Sequence, residues 1–143
     1  MKSTRAVIQE VSSDGKRCIA FSEECLNDLN AFFEESRFKK KLRLFATRWL
    51  NGDGFTSDLF EKENPDGKCD NIYAFKPGKG KQNPRIYCQQ VKTTQGYALV
   101  LVMGALIPKK KQQKLGPGEI SAIQRVSKTH YKLINKDDRE PDE

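Results

Sequence analysis

Apolar residues follow two rhythms along this chain, and one run follows neither. Tyr97-Ala98-Leu99-Val100-Leu101-Val102-Met103-Gly104-Ala105-Leu106-Ile107 is almost unbroken and lacks a helical repeat. Such a run, rich in Val and Leu, predicts a strand buried on both faces. Upstream, Ala6–Val11 and Arg17–Phe21 are β-prone and flank Ser12-Ser13-Asp14-Gly15, a hairpin signal. Leu26, Leu29, Phe32 and Phe33 recur at helical spacing behind Ser22, which predicts a helix capped by that serine and running to about Glu35. Phe38, Leu42, Phe45 and Trp49 predict a second helix from Ser36, stopped by Asn51-Gly52-Asp53-Gly54. The stretch from Leu59 to Gly67 reads as a loop. Asn71–Lys76 and Arg85–Val91 read as strands, and Lys92–Gly96 turns the second into the long apolar run. A last helix is expected from Gly116-Pro117-Gly118-Glu119, with Ile120, Ile123, Val126 and Ile134 near one face and His130 and Tyr131 late in it.

The expected class is α+β. Two amphipathic helices cannot bury their stripes alone and need a sheet to cover. A length of 143 residues suits one domain over residues 1–136, with residues 6–21 as an N-terminal hairpin extension and residues 137–143 as a disordered acidic tail. No apolar run reaches the roughly 18 residues of a membrane span, and no apolar signal segment follows Met1–Arg5. The expectation is a cytoplasmic protein with no membrane partner.

Charge sharpens this picture. The net charge of +7 favours anionic partners, nucleic acid first among them. From Asn71 through Gly118 there is no Asp or Glu, while Lys76, Lys79, Lys81, Arg85, Lys92, Lys109, Lys110, Lys111 and Lys114 all fall in that window. Cys18, Cys25, Cys69 and Cys88 form no C-x-x-C pair and His130 is the only histidine, so neither a metal nor a cofactor is expected. Pro77-Gly78-Lys79-Gly80-Lys81 lacks the pattern of a phosphate-binding loop.

Three segments carry a likeness to a known family. They are Ile72-Tyr73-Ala74-Phe75-Lys76, then Arg85-Ile86-Tyr87-Cys88, then Leu99-Val100-Leu101 with Lys110-Lys111-Gln112-Gln113-Lys114 and Glu119-Ile120. Over Phe38 to Val126 the chain resembles toxins of the RelE/ParE superfamily from type II toxin–antitoxin pairs, closest to the HigB-like branch. The resemblance implies a RelE-like fold: an antiparallel sheet with two N-terminal helices packed on it and a C-terminal helix. It also implies a metal-free endoribonuclease that cleaves mRNA at the ribosome by 2′-hydroxyl attack on the adjacent phosphate, and a cognate antitoxin as partner. A non-catalytic nucleic-acid-binding protein or a ParE-like gyrase inhibitor of the same fold is the alternative.

That reaction needs a proton acceptor, a cation for the phosphorane and a proton for the leaving oxygen. Arg85 is the first candidate for the cation, with Lys76 beside it and Lys111 at the lysine block. His130 and Tyr131 are candidates by type for proton transfer. Lys79, Lys81, Lys109, Lys110 and Lys114 are candidate phosphate contacts. Tyr73 and Tyr87 are candidates for stacking on bases, or for the core. The lysines that RelE itself carries inside its second strand are absent here, where Ile72 and Ala74 hold the inward positions.

Overall fold

The structure is a computed structural model, and it describes residues 2–78, 82–109 and 115–138. Two helices follow a hairpin: β1 (Ser3–Val11), β2 (Arg17–Ser22), α1 (Leu26–Phe32) and α2 (Ser36–Asn51). Then come β3 (Phe60–Lys62), β4 (Ile72–Phe75), β5 (Arg85–Thr94), β6 (Tyr97–Ile107), α3 (Pro117–Lys128) and β7 (His130–Ile134). The strands form one sheet in the order β3-β4-β5-β6-β2-β1-β7.

This α+β sheet is mixed, where antiparallel pairing was expected. β3 to β6 are antiparallel neighbours, but β2 runs parallel to β6 and β7 runs parallel to β1. The N-terminal hairpin is therefore no extension. β2 pairs Arg17–Phe21 with Leu99–Met103 and lies inside the sheet, because β6 needs a ladder partner on both sides.

The long apolar run is buried on both faces, as its composition predicts. Leu101 and Met103 face one core with Phe38, Phe45 and Trp49 of α2 and Leu26 and Leu29 of α1. Val100, Val102 and Ala105 face a second core with Ile123 and Val126 of α3. The jump from Val102 to Ala105 breaks the alternation because Gly104 is an extra residue: Tyr87 pairs with Ala105 and Cys88 with Met103. A bulge of this kind shifts the phase of everything downstream. Only glycine fits there, since a Cβ would lie 2.6 Å from the Tyr131 hydroxyl and 2.9 Å from a Val126 methyl.

α2 ends where its sequence stops it. Gly52 adopts φ +80°, and its N–H closes back onto the last turn. Arg17 donates to the Trp49 carbonyl at 2.9 Å, and the Trp49 indole donates to Gln90 Oε1 at 3.2 Å. Phe45 stacks on Phe75 with ring centroids 4.3 Å apart and also meets Phe55 and Phe60, so α2 rests on an aromatic floor. β3, expected to be loop, adds Phe60 to that floor and pairs Phe60–Lys62 with Tyr73–Phe75. Ser22 makes no cap bond; a short 3-10 turn, Glu23–Cys25, precedes α1, which ends at Phe32.

α3 is fastened to β5 at both ends. Gln89, buried in β5, donates from Nε2 to the carbonyls of Val126 at 2.9 Å and Thr129 at 2.8 Å, filling acceptors that a helix C-terminus leaves open. Two residues earlier on the same face, the Tyr87 hydroxyl donates to Glu119 Oε1 at 3.4 Å in the first turn of α3. α3 then stops at Lys128, and Thr129 is extended with ψ 134°. The residues after it pair with the open edge of β1, Ser3 against His130 through Val7 against Ile134. This corrects the expectation that His130 and Tyr131 sit late in a helix. The outer edge of β7 is met by Gln95 from the β5–β6 turn, which accepts from the Leu133 N–H at 2.9 Å and donates to the Tyr131 carbonyl at 3.0 Å. Lys136–Asp138 forms a 3-10 turn, so the expected tail is ordered at its start; residues 139–143 lie outside the described residues.

Burial holds several acidic groups of the core in their neutral form. Tyr131 is pushed up from 10.0 to about 12, Cys18 from 9.0 to about 12 and Cys25 from 9.0 to about 11, burial being the first cause in each. Their contribution is complete below the unfolded values and is lost as pH rises through the folded ones. Stability should therefore fall between about pH 9 and pH 12. Chemical denaturation across that range checks this, and Tyr131→Phe should make the fall shallower above about pH 10 while leaving its cysteine-driven onset in place. Gln89→Leu should cost about 1–3 kcal/mol, the penalty of leaving buried carbonyls without a donor, read as a lowered urea midpoint with α3 the first element to lose amide protection.

Candidate nucleic-acid interface

β4 finishes, β5 begins and β6 finishes at one end of the sheet. Phe75 pairs with Ile86, and Arg85 pairs with Ile107. Lys76, one residue beyond β4, and Lys109, two residues beyond β6, join Arg85 on this rim. α2 starts there too: Arg37 bonds the side chain of Gln82, and the Phe38 ring lies against Gly78.

Arg85 is half-buried. Its Nη1 donates to Asn83 Oδ1 at 2.7 Å and to the Pro84 carbonyl at 2.9 Å. Both acceptors are uncharged, and among the described residues no carboxylate pairs with this guanidinium. Its positive charge is thus held in place without being cancelled. Asn83 adopts φ +40° to present its amide. Lys109 is exposed just past β6, in a phase set by the Gly104 bulge.

Lys76 is different. The register places it next to Arg85, but its ammonium bonds Glu61 Oε2 at 2.6 Å and the Ser57 carbonyl at 2.9 Å. Its side chain is 14% exposed, so Glu61 neutralises it in a partly screened setting. With Lys41, Thr56 and Gly78 it lines a cleft of about 390 Å³ between α2 and the β3–β4 edge. Lys39, Lys40, Lys41 and Arg43 of α2 are exposed and pair with no carboxylate among the described residues. Of these, Lys41 stands beside the rim in that cleft, a residue the acid-free window did not include, whereas Lys39 and Arg43 line a groove toward α1 and β1 with Glu10 and Glu34. Lys79, Lys81, Lys110, Lys111 and Lys114 lie outside the described residues.

The aromatic candidates turn inward. Tyr73 stacks on Phe60, with centroids 4.9 Å apart and planes 9° from parallel. Tyr87 is fully buried with its hydroxyl on Glu119, and burial, then the Glu119 charge, push its pKa up. Tyr87 therefore presents no ring face at the surface, and one face of the half-buried Tyr73 is taken by Phe60. Tyr131 is buried with its hydroxyl over Gly104. His130 is exposed and level with the rim along the strands, but β7 stands four strand positions from β5.

Two groups at the rim carry little sequence signal. Glu61 is one, since nothing local marks it as the partner of Lys76. Glu119 is the other: its place at the start of α3 reads as a helix-dipole residue, and Oε2 does accept the Gly116 N–H at 2.7 Å. Its second oxygen, turned to Tyr87 beneath the rim, follows only from the packing of α3 on β5.

Comparison of the chain with protein-family models, with curated proteins and with solved structures finds no match.

Proposed function

We propose that this chain is a RelE-like toxin of a type II toxin–antitoxin pair, an endoribonuclease that cleaves mRNA at the ribosome without a metal, and that a cognate antitoxin neutralises it. The observation that carries the reading is Arg85: a half-buried guanidinium at a strand start, held by uncharged oxygens and without a carboxylate partner among the described residues. Two helices, four antiparallel strands and a helix follow one another, against the two helices, antiparallel sheet and C-terminal helix that the resemblance implies. They support a RelE-like core completed by β1, β2 and β7.

In this reading Arg85 binds the scissile phosphate and stabilises the charge that builds on its equatorial oxygens. Lys109 and, on α2, Lys40 and Lys41 grip flanking phosphates. Lys76, bound to Glu61, shapes the cleft beside Arg85 and contributes less charge. A second reading draws on the burial of Tyr131 and the neutralised Lys76: a protein of this fold that binds nucleic acid or gyrase without cleaving RNA.

Expression without an antitoxin should arrest growth, with cuts in mRNA on translating ribosomes. Arg85→Ala should restore growth at equal protein level. A wild-type protein that is harmless and leaves mRNA intact would sink the nuclease reading. Binding to single-stranded RNA should weaken as salt rises, with a log–log slope of about −0.7 per phosphate neutralised. The combined Lys40→Ala and Lys41→Ala exchange should flatten that slope by roughly 1.4 units; an unchanged slope would remove α2 from the interface.

A further inference from the structure

We infer that Glu119 is the proton acceptor of this site, taking the proton of the attacking 2′-hydroxyl, with Tyr87 as the residue that positions it. The inference rests on the nuclease reading above. It begins from what the neighbouring strands lack: His130 is on β7, four strands from β5 in the sheet order, and Tyr131 is buried on the same strand. Glu61 is bound to Lys76 at the β3 edge.

Glu119 is half-exposed in the first turn of α3 and follows directly on the acid-free window. Its carboxylate is held from two sides, by the Gly116 N–H on Oε2 and by the Tyr87 hydroxyl on Oε1. Tyr87 itself is immobile in the core and stays a neutral donor. Arg85 lies two residues from Tyr87 on the same strand, and alternation sends both side chains to the α3 face. One strand face thus carries the phosphate cation and, through Tyr87, fixes a carboxylate next to it. The charged groups around the Tyr87 phenol are Glu119 from α3, Glu63 from the segment after β3 and Arg85 from its own strand.

The chemistry balances without a co-reactant. The 2′-hydroxyl proton passes to Glu119 as the 2′-oxygen bonds to phosphorus. The P–O5′ bond breaks with its electron pair, and the 5′-oxygen takes a proton from water. Glu119 then returns its proton to solvent, leaving a 2′,3′-cyclic phosphate and a 5′-hydroxyl.

Glu119→Gln keeps an acceptor for the Gly116 N–H and removes the basicity. Single-turnover cleavage of mRNA on programmed ribosomes should fall about 10²- to 10⁴-fold, with ribosome affinity unchanged and the acid limb of the pH–rate profile lost. Glu119→Asp should retain part of the rate and keep that limb, and it carries the test if the amide variant does not fold. Tyr87→Phe should give a smaller fall in kcat alone. Cleavage by Glu119→Gln at the wild-type rate, or loss of the acid limb in Glu63→Gln instead, overturns the assignment and leaves the nuclease reading standing. A wild-type protein that cleaves nothing removes both.

Discussion

The placement of α3 depends on one strand face. Gln89 and Tyr87 point to the same side of β5 and meet opposite ends of the helix, the amide closing its last carbonyls and the phenol its first turn. A buried glutamine inside a sheet is costly unless its donors find partners, and here both bonds from Nε2 go to α3. The next residue in that row is Arg85, just outside the start of the helix. The location of the charged rim is thus a by-product of how the helix is clamped: whatever holds α3 also aims the chain that leaves β6.

Much of the helical layer was legible in the residues. Phe38, Leu42, Phe45 and Trp49 announce α2, and Gly52 ends it in the left-handed conformation. The apolar run from Tyr97 to Ile107 announces a doubly covered strand. What stayed hidden is what depends on distant partners. His130–Ile134 continues an apolar spacing that passes for helix, and only the open edge of β1, more than a hundred residues upstream, makes it a strand. β3 is three residues long, too short for a period to show. For the site, the acid-free window pointed to Arg85 and Lys109, because charge segregation is a property of sequence. It could not show that Lys76 meets Glu61 or that Tyr131 turns inward, because a side chain's partner is set by packing.

The rim also differs in kind from the rest of the surface. Arg5, Arg37, Arg125 and Lys2 meet Glu23, Glu35 and Glu24 in ion pairs at or near the surface. Such pairs add little to stability, but they remove isolated charge. At Arg85 and along the exposed side of α2 that cancellation is missing. The field of the molecule is therefore set by where carboxylates are absent more than by where lysines are present.

Gln95 carries a consequence for the order in which the chain is completed. The strand it covers is the last of the sheet to be synthesised, whereas the neighbour of that strand, β1, is the first of the sheet. Until residues 130–134 emerge, one side of β1 has no ladder partner and Gln95 has no backbone to bond. A nascent or prematurely ended chain would display that open β1 side to other nascent chains. Adding β7 seals β1 and presents in its place an outer strand on which Gln95 occupies the Tyr131 carbonyl and the Leu133 N–H.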